Sequence, residues 1–522
     1  MGEEKSRVNP AVIFVSVIVV LALIIGCVWG YIHRIGPFAA FSHIKNGNGT
    51  SLTIATSRPL TSLDVTTNSS TAVDQALVPN VYQTLVGHDD VNKPTQTGVA
   101  RSWNISADKK TYTFTLYPHM RFSNGHVLDS ADVVYSLQQT IQQHTQGADA
   151  LARITNIAGK DSTVTLTLSQ SDPTLLWALS TRAGIIYDSE AHYDKSQMAI
   201  GSGPYTVAHF SAGKSLTLSA NPQYWRGSQN YASTVTLKTI SDAQQAAQEL
   251  KSGTIDAIVP LSDTPNSSST VRISESLQTD KSLTATTSKS LHRWAVALNN
   301  DADSLFSDTR IRQGYNAMLD RTSVINQLGI SANPIGGPVA ELDPGFKTYP
   351  TDANLTHARS LLSYFGYARN LTLAYKTSSG ADKLARILIQ QFTQVGGTVT
   401  ARGLSDEEWN DQVIGRKQFD MAIVDYTSSH DIGTMVDPNY FINYTNSSIE
   451  SQWNAVESAE TEAAYAQATE TVADTLAQDV PIIWLYSETP VIASKSTLTG
   501  LPTSMVERYL PLENITVSRN SH

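Results

Sequence analysis

The stretch YPHMRFSNGHVLDSADVVYSLQQ, residues 117 to 139, follows a short alternating run, TYTFTL (111–116). In that run Tyr112, Phe114 and Leu116 share one side and the threonines the other, which is the period of a half-buried strand. Asn124-Gly125 then supplies a tight turn, because both residues tolerate positive φ. Asp129 stands where an N-cap accepts a backbone N–H, and Asp132 occupies the capping-box position. Val133, Leu137 and Ile141 come next, four residues apart, and predict an amphipathic helix. Strand, turn and capped helix form a scaffold element that holds no catalytic constellation.

The same exchange of strand and helix continues outward. TVTLTL (163–168), SLTLSA (215–220) and TVTLKTI (234–240) alternate as strands, and amphipathic helices are predicted over 241–251, 309–321, 380–395 and 459–478. AQQAAQELKSG ends at Gly253, a helix-stopping glycine, and IDAIVP returns as a buried strand. No repeat of fixed period interrupts this mixed α/β pattern. A chain of 522 residues is too long for one core and implies two or three domains.

Composition excludes several functions. The formal charge is −10, and no basic block is present to neutralise phosphates, so a nucleic-acid partner is set aside. One cysteine in the whole chain rules out an internal disulfide framework and any multi-cysteine metal or redox site. HExxH, GxSxG, Walker and GxGxxG motifs are all missing. His88-Asp89-Asp90 and His430-Asp431 look like catalytic pairs but lie in polar loops. The expectation is a non-enzyme without a cofactor.

The N-terminus carries Lys5 and Arg7 and then AVIFVSVIVVLALIIGCVWGYI (11–32), 22 residues without a charge. At about 1.5 Å per residue this run spans a hydrocarbon core of roughly 30 Å. Two readings stand. One is an uncleaved signal anchor with everything after His33 outside the cell membrane. In the other, IIGC (24–27) resembles the lipobox of bacterial lipoproteins, and Cys27 becomes an acylated N-terminus. Either way residues 1–32 tether the folded part outside a membrane, and 33–50, rich in Gly and Asn, read as a linker.

The strand and RFSNGHVLDSADVVYSL resemble the signature segment of the family 5 extracellular solute-binding proteins, the dipeptide, oligopeptide and nickel receptors of bacterial ABC importers. The likeness recurs in order along the chain: RPLTSLDVT (58–66), VYQTLVGHD (81–89), GSGPYTV (201–207), NPQYWRG (221–227), LKSGTIDAI (250–258) and DTRIRQGYNAMLDR (308–321). It implies an α/β, two-lobed periplasmic-binding-protein-like fold with a ligand cleft between the lobes. Lobe I is placed at 51–80, 200–288 and 488–522, an inserted subdomain at 81–199, and lobe II at 289–487. The chain is expected to cross between lobes near HRWAVALNN (292–300) and PIIWLYSETP (481–490).

By the same resemblance Ser57, Arg58 and Pro59 end the first strand where the family's loop meets ligand backbone, and Arg58 can pair with a carboxylate. FDMAIVDYTSSHDIGTMVDPNYFINY (419–444) is similar to the family's lobe II strand and loop, with Tyr426 in place of a tryptophan and 425–429, including Thr427, facing the ligand. The Asp that binds a peptide ammonium in the family falls on Ser429 here. Either Asp431 or Asp425 takes that role, or the ligand is not a free-amine peptide. Trp294 and Trp409 are aromatic candidates for the cleft. The resulting expectation is a monomeric, membrane-tethered receptor at the extracytoplasmic face of the bacterial cell membrane. It captures short peptides and delivers them to an ABC permease. The alternatives are a receptor for a metal chelate or sugar, and a tethered sensor or adhesin.

Overall fold

The computed structural model describes residues 49–78, 80–226, 231–261, 270–365 and 370–518. The apolar segment, Cys27 and nearly all of the linker lie outside these residues. Among the described residues, no helix is long and apolar enough to cross a membrane.

Three sheets organise the chain. The largest has seven strands, in the order 283–287, 491–495, 257–261, 51–56, 234–239, 215–220 and 205–211. Its centre is parallel, with Ser51–Thr56 between Thr234–Thr239 and Ala257–Leu261. A second sheet of six strands runs in the order 332–334, 482–488, 293–298, 421–426, 370–376 and 398–404. The third, four-stranded and antiparallel, takes 100–105, 111–116, 163–168 and 154–160. This is the α/β, two-lobed periplasmic-binding-protein-like fold.

The opening stretch builds the third sheet's core. Tyr112, Phe114 and Leu116 are buried, while the intervening threonines are only half-buried. Gly125 has φ 93°, which a glycine accepts without strain. Asp129 and Asp132 close a reciprocal capping box on helix Ser130–Gln142, whose Val133 and Leu137 pack with Phe114. One predicted helix divides. The pattern over 309–321 becomes Thr309–Ala317 followed by Arg321–Leu328. The Asp320 side chain accepts from Ser323 N and caps a new helix, and the buried Arg321 guanidinium donates to Trp484 O.

Two segments join the large sheets. The chain leaves the seven-stranded sheet after Thr287, enters the six-stranded sheet at Arg293, and returns between Glu488 and Val491. These crossings run side by side: Ser288 N donates to Pro490 O (2.7 Å) and Glu488 N to His292 O (2.9 Å). Paired extended strands at a domain junction suit a hinge, since a few residues there can absorb rotation while both sheets stay intact.

Candidate functional site: the cleft between the lobes

Strand Met421–Tyr426 lies antiparallel to Arg293–Leu298, with Trp294 opposite Asp425 and Arg293 opposite Tyr426. Neighbouring side chains on a strand face opposite ways, so this short region presents two different surfaces. On one, the His292 imidazole sits between two carboxylates. Its Nε2 is 3.1 Å from Asp425 Oδ2 and its Nδ1 is 3.0 Å from Glu488 Oε2. Both partners are acceptors, so both ring nitrogens carry protons. Burial opposes that charge, but Glu488 and Asp425 outweigh it and lift the His292 pKa to about 10. Trp294 Nε1 donates to Glu488 Oε1 (2.8 Å), which fixes the indole beside the imidazole at a ring separation of 5.5 Å. Two carboxylates against one imidazolium leave this cluster one negative charge.

On the other surface, Arg293 is buried and its Nη2 lies 2.5 Å from Asp431 Oδ2. Its remaining N–H groups donate to the carbonyls of Leu291, Pro338 and Ser428. Burial pushes the Asp431 carboxyl pKa up, and Arg293 pulls it back. Of the two carboxylates put forward for a ligand ammonium, Asp431 is therefore already neutralised, with its side chain 12% exposed, whereas Asp425 keeps 34%.

Between them, Ser429 is buried and hydrogen-bonded within the protein. Its hydroxyl donates to Asp343 Oδ1 and accepts from Asn92 Nδ2 (2.8 Å), with His430 Nδ1 at 2.6 Å. Asn92 Oδ1 in turn accepts from Trp177 Nε1 (2.7 Å). Thr427 Oγ1 accepts from Arg508 Nη2 (3.3 Å). Tyr426 is buried against Trp484, its hydroxyl 3.3 Å from that of Tyr440.

A cavity opens where the crossings meet the first strand's end, and Ser57, Arg58, Ser290, His292, Glu488 and Glu507 are among its walls. Arg58 is exposed and its Nη1 donates to Thr71 Oγ1 (2.5 Å). Pro59 is exposed and outside the cavity lining. Trp409 departs from its expected place. It is 4% exposed and belongs to the core of the six-stranded sheet with Val413 and Phe419, because it closes the short capped helix Asp406–Trp409 onto that sheet. Sequence reasoning passed over His292, Glu488, Ser290 and Glu507. Two of them were within reach: His292 opens one quoted crossing and Glu488 lies within the other.

Residues 95–452 match the family described as bacterial extracellular solute-binding proteins, family 5 middle. The chain belongs to this family. Among its family 5 relatives, heme-binding protein A of Haemophilus influenzae is 22% identical over 361 residues, 60% of this chain and 63% of that protein. Glutathione-binding protein GsiB of Pectobacterium atrosepticum is 25% identical over 382 residues, 70% and 71% of the two chains. Nickel-binding protein NikA of Staphylococcus aureus is 24% identical over 282 residues, and there the alignment spans 55% of the relative. Heme-binding protein A and NikA are thus matched over less than two thirds of their own length. Solved family 5 folds superpose over nearly the whole chain. NikA from Staphylococcus aureus with Ni(L-His)2 gives a TM-score of 0.70 at 18% identity, covering 90% of this chain and 100% of that one. The oligopeptide-binding protein AppA from Bacillus subtilis, with a nonapeptide, gives 0.71 at 18% identity, covering 91% and 100%. Family 5 proteins bind solutes and carry out no reaction on them, so the chain is a binding protein and not an enzyme.

Proposed function

We propose that the chain is an extracytoplasmic receptor that captures short peptides between its lobes and delivers them to the transmembrane subunits of an ABC importer. The observation that carries this reading is the charge pattern of the cleft. Asp425, His292 and Glu488 together carry a net charge of −1, with both carboxylate side chains 34% exposed and with Lys376 and Arg58 near enough to favour their ionised forms. Arg58 stands at the same cavity as Glu488, and its positive charge helps to hold Glu488 ionised. A zwitterion meets both needs at once: its α-ammonium goes to Asp425 and its carboxylate to Arg58. Trp294, buried beside His292, supplies an apolar wall.

Direct metal capture is a poorer fit. His292 has no lone pair to give while both nitrogens are protonated, and the described residues contain no group of three or more His, Cys, Asp or Glu placed to hold a metal ion. Closure of the lobes on the ligand, followed by recognition of the closed state by the permease, completes the proposed cycle. The N-terminal apolar segment or a lipid on Cys27 serves as the tether, and the receptor acts as a monomer.

Native mass spectrometry of the chain purified without refolding tests this. Co-purified di- to pentapeptides, lost in Asp425→Asn, are the expected result. A sugar or a metal chelate in their place overturns the peptide assignment.

A further inference from the structure

One carboxylate oxygen of the cavity wall is left without a donor. Glu507 lines the same cavity as Arg58, His292 and Glu488. Its Oε1 accepts from Ser290 Oγ (2.7 Å), but its Oε2 is buried with no hydrogen-bonding partner among the described residues. Several other polar atoms of the wall already have partners. Gln75 Nε2 donates to the carbonyls of Val259 and Val506, His292 is shared by two carboxylates, and Arg58 Nη1 reaches Thr71. Arg508 is close enough to feel the charge of Glu507, yet its guanidinium faces Asp74 and Thr427. The carboxylate is also held in place. Met505 and Tyr509, on either side of it, pack with Leu291 of the crossing and with Ala340 and Leu342 of the second lobe. A buried carboxylate oxygen that nothing donates to is costly, and a charged N–H is its strongest partner.

We infer that Glu507 forms a second anionic subsite of the cleft, one that receives a cationic nitrogen of the solute distinct from the group held at Asp425. This rests on the cleft reading above and narrows it: the preferred solutes carry a basic side chain or a second amine. Arg58 and Asp425 account for the two ends of a zwitterion, and Glu507 then selects for one further positive charge.

Calorimetric titration of the full chain with the tripeptides Ala-Lys-Ala and Ala-Ala-Ala, and with cadaverine, tests the subsite. Wild-type protein should bind Ala-Lys-Ala more tightly than Ala-Ala-Ala. Glu507→Gln, of the same shape, should weaken Ala-Lys-Ala by about 10- to 100-fold and leave Ala-Ala-Ala unchanged, as expected for a lost charge-assisted bond. An unchanged melting temperature in Glu507→Gln shows that the fold is intact. Equal weakening of the two peptides, or no weakening of either, overturns the inference while peptide binding stands. If only cadaverine binds, and binds through Glu507, the subsite stands and the peptide reading falls. If none of the probes binds, both fall.

Discussion

The segment from Asp425 to Asp431 has two ends that look alike in sequence and behave in opposite ways. At one end Asp425 meets His292, part-exposed at the cleft. At the other, Asp431 meets Arg293 and His430 packs between the Trp177 and Tyr465 rings at 4.6 and 5.8 Å. Both histidines are buried beside carboxylates, yet their charges differ. His292 has a direct carboxylate acceptor on each nitrogen and is lifted to about 10. His430 pairs its Nδ1 with the Ser429 hydroxyl, Asp343 Oδ1 stands 3.7 Å off, and burial holds its pKa below the ordinary value. The lesson is that acidic neighbours do not decide a buried histidine's charge; acceptors in direct contact with its ring nitrogens do. The Asp425 end keeps a part-exposed carboxylate, and at the other end Ser429 and His430 join the six-stranded sheet's side to Asn92 and Trp177.

Breaking the buried end should have the largest effect. Arg293→Met strands Asp431 in the interior and should lower unfolding free energy by about 3–5 kcal/mol in urea titration. Asn92→Ala comes next. It removes a donor to Ser429 and the acceptor of Trp177 Nε1, and should cost about 1–3 kcal/mol in the same measurement. It should also favour an open form, seen as a larger radius of gyration in X-ray scattering, because it unties Trp177 and the Asn92 loop from Ser429.

Proton linkage sharpens the contrast between the two histidines. His430 has a lowered folded pKa, so the unfolded chain binds the extra proton as pH falls through 6.5, and stability should decline on that side. His292 has a raised one, so its contribution is full below 6.5 and is lost as pH rises toward about 10. Melting temperature against pH should therefore lose its acid limb in His430→Asn and its alkaline limb in His292→Asn. The smallest effect is expected at Pro59, exposed and away from the cavity. Pro59→Ala should leave peptide affinity unchanged and stability within about 0.5 kcal/mol.

Local pattern made much of the fold legible. Strict alternation marked Thr111–Leu116 and Thr163–Leu168, and cap chemistry marked the start of helix Ser130–Gln142, because period and capping are written in adjacent residues. The helix expected over 309–321 divides because Asp320 caps a new helix, and the Arg321 that opens it donates to Trp484, a partner far away in sequence. The site was less legible for the same reason. Asp425 and Asp431 are equivalent candidates until the two consecutive basic residues His292 and Arg293 are seen to claim one each from opposite faces of a strand. Ser429 sits where a ligand-binding acid was expected, and only the approach of Asn92 and Asp343 shows what it does instead. Glu507 left no trace in local pattern, since it reaches the cleft from the chain's far end.

In the proposed complex Asp425 holds the free ammonium of a peptide. This contact is tested most directly by titrating the wild-type chain with Ala-Lys-Ala and with the same peptide acetylated at its amino terminus. Acetylation should weaken binding by about 10- to 100-fold, and Asp425→Asn should abolish the difference. Equal affinity for the two peptides in the wild-type chain would contradict this role of Asp425.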